Sequence, residues 1–385
     1  MVTNNQTDIN KYDRQERIKG WDTDVINNAR ILVVGAGTTG NEVIKNLCLL
    51  GIGQLDIIDF DDIEEVNLNR CVLFNKSHLG KPKAKIAALN AKKLNPECKI
   101  HGYKADVIFD FGPMFFKSFH CVIMTVDNLE ARMWVNRYCL LTDVPLIDTG
   151  IEGLTGNVFV RNNGKKFCLE CGWNEENYKK LSEKYSCLKI GLNLKSNTIP
   201  MVITTAAIIG GFATQECIRI LHGKTNLFIE NKENFHWYTA ENTTVLNWSI
   251  AFNPNCLGHA SVSKYNLSDF EEISVKLPIN NIKELLKSKF NTEIVELKYD
   301  KEFIYSTFCK NCGFKENKLP PTFLGKFERY KCQKCGEISM VPYYISSHLE
   351  GNFCLADLKI PIGQLVIGYY ELDDSIKEIT LIITP

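Results

Sequence analysis

Neither sign of charge is in excess: 45 Lys and Arg face 45 Asp and Glu. That balance argues against a protein that works on nucleic acid through a bulk positive field. No apolar run approaches the ~20 residues of a membrane span, and the opening MVTNNQTDINKYDRQE does not read as a secretory signal. Internal repeats and low-complexity tracts are also missing. The expectation is a cytoplasmic protein with neither a membrane nor nucleic acid among its partners. Cysteine, by contrast, is plentiful, with fifteen in the chain. Several stand in C-x-x-C pairs, which in a long chain without a secretion signal favour metal ligation in a reducing compartment over disulfides.

The 385 residues are 45% hydrophobic, enough for one large α/β domain and a smaller one. Strand signals recur at 30–34, 54–59, 98–103, 121–124 and 144–148, with helical patterns at 40–50, 83–94 and 128–140 between them. This alternation predicts a Rossmann-like α/β fold, a doubly wound and mostly parallel sheet. Residues 1–29 read as a polar start and a helix with Trp21 and Val25 on an apolar face. A further strand is expected at 155–161, a short helix at 174–184, and an apolar helix of core character at 201–222. A composition shift at 260–270 sets the expected domains at 1–262 and 263–385, with a polar crossover loop at 172–200 in the first. The second is expected to be α+β, with apolar stretches around 303–308 and 356–370 flanking a Cys-rich insert.

The most informative stretch is 30–83. An apolar strand ends in Gly35-x-Gly37-x-x-Gly40, a helix follows, and a second strand ends in Asp59. Glycines there let the backbone turn tightly and approach a phosphate, whose charge a helix N-terminus favours. Asn67, Arg70 and Lys83 come next. A dehydrogenase has no need of that cationic cluster, whereas an enzyme that handles a triphosphate does. Asp59 can accept from ribose hydroxyls, and Arg70 and Lys83 can neutralise phosphate charge. Asp127 ends the strand after 121, where an open α/β sheet binds ligands, and it can carry Mg²⁺. Plainer readings stand beside these: Asp127 as a helix cap, Asp61 and Asp62 as surface acids, Arg132 paired with acids, and Asp59 as the acid of an NAD site.

Asp59, Asn67, Arg70 and Lys83 stand at the spacing of the ubiquitin-activating enzyme superfamily, which includes the adenylyltransferases for the sulfur carriers of molybdopterin and thiamine synthesis. The resemblance continues in Tyr12-Asp13-Arg14-Gln15, in Asp127-Asn128-Leu129-Glu130-Ala131-Arg132 and in Cys168-Leu169-Glu170-Cys171, and covers about residues 10–260. It implies an ATP site built from Gly35, Gly37, Gly40, Asp59, Asn67, Arg70, Lys83 and Asp127, with Asn67 helping at the phosphates. It also implies that Arg14 reaches the ATP of a second subunit. One chain carries both Arg14 and the nucleotide set, so it resembles a single-chain prokaryotic type acting as a homodimer.

Cys309-x-x-Cys312 and Cys332-x-x-Cys335, 19 residues apart, are the two knuckles of a zinc ribbon spanning 309–335. Such a ribbon serves stability or docking. The family resemblance further implies that Cys168 and Cys171 close a structural Zn²⁺ site with a pair after a Pro-Asn-Cys stretch. Here that stretch is Pro254-Asn255-Cys256-Leu257-Gly258-His259, so the set becomes Cys₃His, with a vestigial site as the alternative. By the same resemblance Cys187 is the thioester nucleophile, with Lys184 and Lys189 placed to lower its pKa. The crossover is too short for the large cysteine domain of eukaryotic relatives, and a spectator Cys187 remains the alternative. Cys48, Cys121, Cys139 and Cys217 fall in core patterns; Cys71, Cys98 and Cys354 have no assignment.

The expected function is ATP-dependent adenylation of the C-terminal glycine of a ubiquitin-like protein, a thioester on Cys187, and transfer to a conjugating enzyme docked on residues 263–385. The stretch Ala356–Gly363 resembles the close of such a docking domain. Three competitors stay open. One is an adenylyltransferase for a sulfur-carrier protein or peptide with no thioester step. The others are an NAD-dependent oxidoreductase, for which no hydride site is visible, and a scaffold that kept the fold without catalysis.

Overall fold

Arg30–Val34 is aliphatic after its first residue and buried on both faces, so it forms a central strand, β1, rather than an edge. In the computed structural model, which describes residues 10–164, 166–184, 200–223, 233–293, 295–373 and 375–385, β1 lies between β2 (Gln54–Ile58) and β4 (Cys121–Met124). β3 (Lys99–Tyr103) lies outside β2, and β5 (Leu146–Glu152) outside β4. These five strands are parallel. β6 (Thr155–Arg161), β7 (Phe235–Thr239) and β8 (Thr244–Trp248) continue the sheet antiparallel, in the order β3-β2-β1-β4-β5-β6-β7-β8. The chain steps from β1 outward to β2 and β3, then returns to β4 on the other side of β1. The strand order therefore reverses between β1 and β4, and a crevice opens at their C-terminal ends.

Two helices pack side by side against this sheet. Thr38–Leu50 follows β1. Ile203–His222 is apolar and rich in small residues, and it packs on Thr38–Leu50 and on β4, β5 and β6. Small residues let it come close: a Cβ at Gly210 would lie 2.7 Å from the Glu42 Cβ, and one at Gly156 2.5 Å from Ile209. The His222 end meets Trp21 and the backbone N–H of Asp22, just before β1. Both helices therefore run with their N-termini toward the crevice. No helix among the described residues is long and apolar enough to cross a membrane.

The expected N-terminal helix is instead two short ones, Asp13–Glu16 and Thr23–Asn28. Gly20 takes a left-handed φ of 89° between them, and Asp22 caps the second through the Val25 N–H. Ile26 and Ala29, rather than Trp21 and Val25, are fully buried there. β7 and β8 were not expected; their residues are largely exposed or half-buried and carry no clean alternation.

A second compact unit is built from His259–Pro385 together with Phe109–Phe115 and, of the described crossover residues, 173–184. Its sheet runs β11-β10-β13-β14-β9, with β12 also paired to β10. The strands are β9 (Phe270–Ser274), β10 (Val295–Cys309), β11 (Lys315–Phe323), β12 (Met340–His348), β13 (Leu365–Leu372) and β14 (Ser375–Thr384). β9 and β14, first and last in sequence, pair in parallel. The helix Ile279–Phe290 buries Ile279, Ile282 and Leu286, one stripe at helical spacing, and packs on β10 and β13. Phe109–Phe115 is tied into this unit by Lys326 on Asp110 at 2.8 Å and by the Met114 N–H on the Gly363 carbonyl.

Gly40 and Gly37 predict outcomes of different size for the same substitution. A Cβ on Gly40 would lie 2.1 Å from the Gly35 carbonyl oxygen, whereas one on Gly37 meets nothing within 4 Å. Gly40→Ala should destabilise by about 1–3 kcal/mol despite the better helix propensity of Ala, because a backbone atom must move. Gly37→Ala should cost less than about 1 kcal/mol, the penalty of Ala at a helix N-cap. Urea midpoints compare the two; equal midpoints would refute the close approach.

Candidate functional site

The glycine loop is held from three sides. Gly35 has φ 102° and no room for a Cβ, since Thr125 O and Oγ1 would each be 2.8 Å away. The Thr125 hydroxyl donates to the Gly35 carbonyl at 2.8 Å, and its N–H to Val34 O, so the end of β4 is pinned to the loop. Asn41 is fully buried. Its amide donates to the carbonyls of Ala36 and Gly37, and its oxygen accepts from Leu73 N at 2.9 Å, which joins the loop to the segment after Arg70. Asp59 accepts from the N–H groups of Ala36 at 2.7 Å and Asp61 at 2.8 Å. Burial raises the Asp59 carboxyl above its ordinary range, against the pull of Lys83 and those two N–H groups.

The cations converge on the same edge. Arg70 donates from Nε to the Thr38 hydroxyl at 3.1 Å and from Nη1 to Val66 O, which holds it at the first turn of Thr38–Leu50. Lys83 pairs with Asp61 at 2.8 Å, its side chain 12% exposed. Burial pulls its pKa down, but Asp59 and Asp61 outweigh that and hold it above the ordinary value, so it stays charged. Asp61 and Asp62 are both exposed acids, Asp61 paired with Lys83 and Asp62 with exposed Lys104. The Asn67 oxygen accepts from Glu64 N at 2.8 Å in a capping box that shapes the short helix Glu65–Asn67.

Asp127 is exposed and, among the described residues, makes no hydrogen bond or ion pair. The cap of the next helix, Leu129–Thr142, is Asn128, which accepts from Ala131 N at 2.8 Å. The Asp127 carboxylate is thus left available at the β1/β4 crevice, and a hard oxygen donor there suits Mg²⁺. Arg132 pairs with Asp148 at 2.5 Å and donates to the carbonyls of Val126 and Thr149. Burial pushes Asp148 up to about 6, against Arg132.

Arg14 is not brought to this edge. Its short helix sits at the far end of Thr38–Leu50, where Gln15 donates to Leu50 O and Tyr12 fills the space beside Gly51. Thirteen residues at about 1.5 Å each put it about 20 Å from its own glycine loop. Arg14 is exposed and unpartnered among the described residues. Cys187 and Lys189 lie outside the described residues, as does the side chain of Lys184.

Both cysteine clusters assemble. Cys309, Cys312, Cys332 and Cys335 present their sulfurs within 4.8 Å of one another, with separations of 3.6 Å for Cys309–Cys335 and 3.7 Å for Cys312–Cys332. Zinc–sulfur bonds of about 2.3 Å in a tetrahedron place sulfurs about 3.8 Å apart, so the set fits Zn²⁺. Cys168, Cys171, Cys256 and His259 form a second group, with Cys168 3.7 Å from Cys256 and 3.9 Å from Cys171. The Cys₃His set also fits, and His259 belongs to it rather than standing apart. The fourteen described cysteines are free of disulfides, with Cys48, Cys121, Cys139 and Cys217 buried, as are Cys71 and Cys98.

Sequence reasoning did not single out Thr38, Asn41 or Thr125. Asn41 carried a signal, an amide at a buried position of a helix. The two threonines carried none, because their role is to hold other residues.

Residues 12–258 match the ThiF family. The SUMO-activating enzyme subunit 2 of Dictyostelium discoideum is 48% identical over 149 residues, 38% of this chain and 22% of that protein. The Nedd8-activating enzyme E1 catalytic subunit of Drosophila melanogaster is 37% identical over 155 residues, 37% of this chain and 34% of that protein. The chain thus matches about a fifth to a third of the length of these relatives. In fold it is similar to E. coli MccB crystallised with ATP, at a TM-score of 0.52 and 21% identity over 66% of this chain and 74% of that one. The chain belongs to the ThiF family, within the ubiquitin-activating enzyme superfamily.

Proposed function

We propose that the chain is an adenylyltransferase that uses ATP to activate the C-terminal glycine carboxylate of a ubiquitin-like protein, within an adenylation domain of residues 1–262. The observation that carries this reading is the crevice itself. Open space faces Gly37, Arg70 and the charged Lys83 are held beside it, and among the described residues the Asp127 carboxylate has no partner. An NAD site has no use for that pair of cations, and a scaffold has none for an unpartnered acid among them.

The phosphates lie on the N-terminus of Thr38–Leu50, where backbone N–H groups and the helix dipole meet negative charge. Asp59 accepts from the ribose while bracing the loop, and Asn67 shapes the segment that delivers Arg70. Mg²⁺ held by Asp127 supplies charge neutralisation at the phosphates. The substrate's carboxylate oxygen attacks the α-phosphorus, the bond to the bridging oxygen of pyrophosphate breaks, and an acyl-adenylate forms. Arg70, Lys83 and Arg14 of a second copy offset the charge that builds on the α-phosphate. The distance of Arg14 from its own loop supports action across a homodimer. The Cys187 thiolate then attacks the acyl carbon, AMP leaves with the electron pair, and the thioester passes to a conjugating enzyme docked on residues 263–385. The two zinc sets are structural, with no open ligand position.

Gly37→Ala should weaken ATP binding at least tenfold, about 1.4 kcal/mol, with little change in stability; unchanged affinity would remove the phosphates from Gly37. In the presence of ATP, magnesium and an extract of the source cells, the wild type should form a thiol-sensitive adduct and release pyrophosphate. Cys187→Ala should lose the adduct and keep pyrophosphate release, and Asp127→Ala should lose both. Pyrophosphate release with no adduct in the wild type would favour a sulfur-carrier or peptide substrate without a thioester.

Metal analysis should find two zinc ions per chain. Cys309→Ser with Cys332→Ser should leave one and spare ATP binding; loss of both ions or of ATP binding would contradict independent sites.

A further inference from the structure

Glu170 stands inside the Cys168-Leu169-Glu170-Cys171 knuckle and is not one of the metal-binding set. Its side chain is nonetheless fully buried. A carboxylate removed from water this completely needs strong partners, and Asn136 and Arg137, on one turn of the helix Leu129–Thr142, supply three hydrogen bonds to it. Asn136 Nδ2 donates to Oε1 at 3.0 Å, Arg137 Nε to the same oxygen at 3.0 Å, and Arg137 Nη2 to Oε2 at 2.7 Å. The guanidinium thus grips the carboxylate with two parallel bonds, the geometry that fixes orientation as well as distance. The knuckle backbone joins in, since Leu169 N donates to Asn136 Oδ1 at 3.0 Å. On the opposite side a Cβ on Gly258 would lie 2.7 Å from Glu170 Oε1, so the carboxylate is boxed in by the segment that carries Cys256.

The other end of that helix begins one residue after the Asp127–Asn128 turn. Asn128 caps it, and Arg132 on its first turn donates to Val126 O at 2.8 Å, the carbonyl just before Asp127. The carboxylate of Asp127 has no side-chain partner of its own among the described residues. Its place is therefore set by its backbone, which is tied to the helix on both sides. From Asp127 to Asn136 and Arg137 is about 14 Å along a helix that rises about 1.5 Å per residue. A helix of this length moves as a rod, so a shift where Glu170 holds it is felt at Asp127. A metal-ligating carboxylate tolerates little displacement.

We propose that Glu170 is a positioning residue for Asp127: it couples the Cys₃His centre, through the helix Leu129–Thr142, to the magnesium-dependent part of nucleotide binding. This rests on the reading above that Asp127 carries the magnesium bound with ATP.

The test is the affinity of the full chain for ATP, measured by calorimetry with magnesium and again in magnesium-free buffer without chelator, which leaves the zinc in place. Glu170→Gln keeps the shape but turns an amide toward Arg137. It should lose about tenfold or more of the affinity that magnesium adds, the scale of an outer-shell deletion. Affinity without magnesium should stay within about twofold, and the zinc content should be unchanged, because the ligands remain. Arg137→Lys keeps the charge without the fork; it should show a smaller loss of the same kind, and keeps the test open if Glu170→Gln folds poorly. Combining Glu170→Gln with Asp127→Ala should add nothing to Asp127→Ala alone. Equal losses with and without magnesium would mark Glu170 as merely structural and overturn the proposal, as would a full magnesium effect in both variants. A wild type that binds no ATP would overturn the nucleotide reading itself. A wild type whose magnesium effect survives Asp127→Ala would overturn only the assignment of Asp127, and the coupling with it.

Discussion

Gly40 lies so close to the Gly35 carbonyl that no side chain fits between them, and the end of β4 is pinned to the same carbonyl through Thr125. This contact spaces everything else at the crevice. It brings the N-terminus of Thr38–Leu50 down onto the reversal of strand order between β1 and β4, so the helix dipole and the free N–H groups face the one place where the sheet opens. Thr38 then stands where Arg70 can reach it, and Asp127 follows Thr125 by two residues. Loosening the contact would shift each of these groups differently, because each hangs from a different element.

Charge at the site is arranged around a half-buried acid. Asp59 is used twice by the backbone, through Ala36 and Asp61, and burial alone would drive it toward the neutral form. Lys83 opposes that, and Asp59 in turn keeps Lys83 protonated despite its own burial. The two hold each other in their charged forms, with Asp61 as the outer partner. An added anion would meet two cations whose existing partners leave them facing the crevice. Farther from it, the helix Leu129–Thr142 is clamped twice, by Arg132 on Asp148 and by Arg137 on Glu170. Ion pairs this buried contribute less to net stability than to fixing one geometry.

The first sheet was legible because its strands are short aliphatic runs between helical patterns, and five parallel strands follow from that alternation. The C-x-x-C pairs were legible because thiolate geometry demands the spacing, whereas Cys256 and His259 came only from the family resemblance. What escaped detection was set by tertiary context. β7 and β8 are half-exposed and lack alternation, so periodicity had nothing to register. The N-terminal helix broke at Gly20, whose left-handed backbone only the folded chain reveals. Asn41, Thr38 and Thr125 act by holding neighbours, and a sequence shows only what a residue is, not what it holds. Arg132 illustrates the limit: its motif placed it near the nucleotide residues, and its buried partner Asp148 became visible only in the fold.

The central claim is that the β1/β4 crevice is an ATP site. A crystal structure of the chain with ATP and magnesium tests it most directly. The account predicts the phosphates at the N–H groups of the Gly35–Gly40 loop, Arg70 and Lys83 within hydrogen-bond distance of them, the ribose at Asp59, and the metal on Asp127. A nucleotide bound elsewhere, or one in the crevice with its metal away from Asp127, would contradict it.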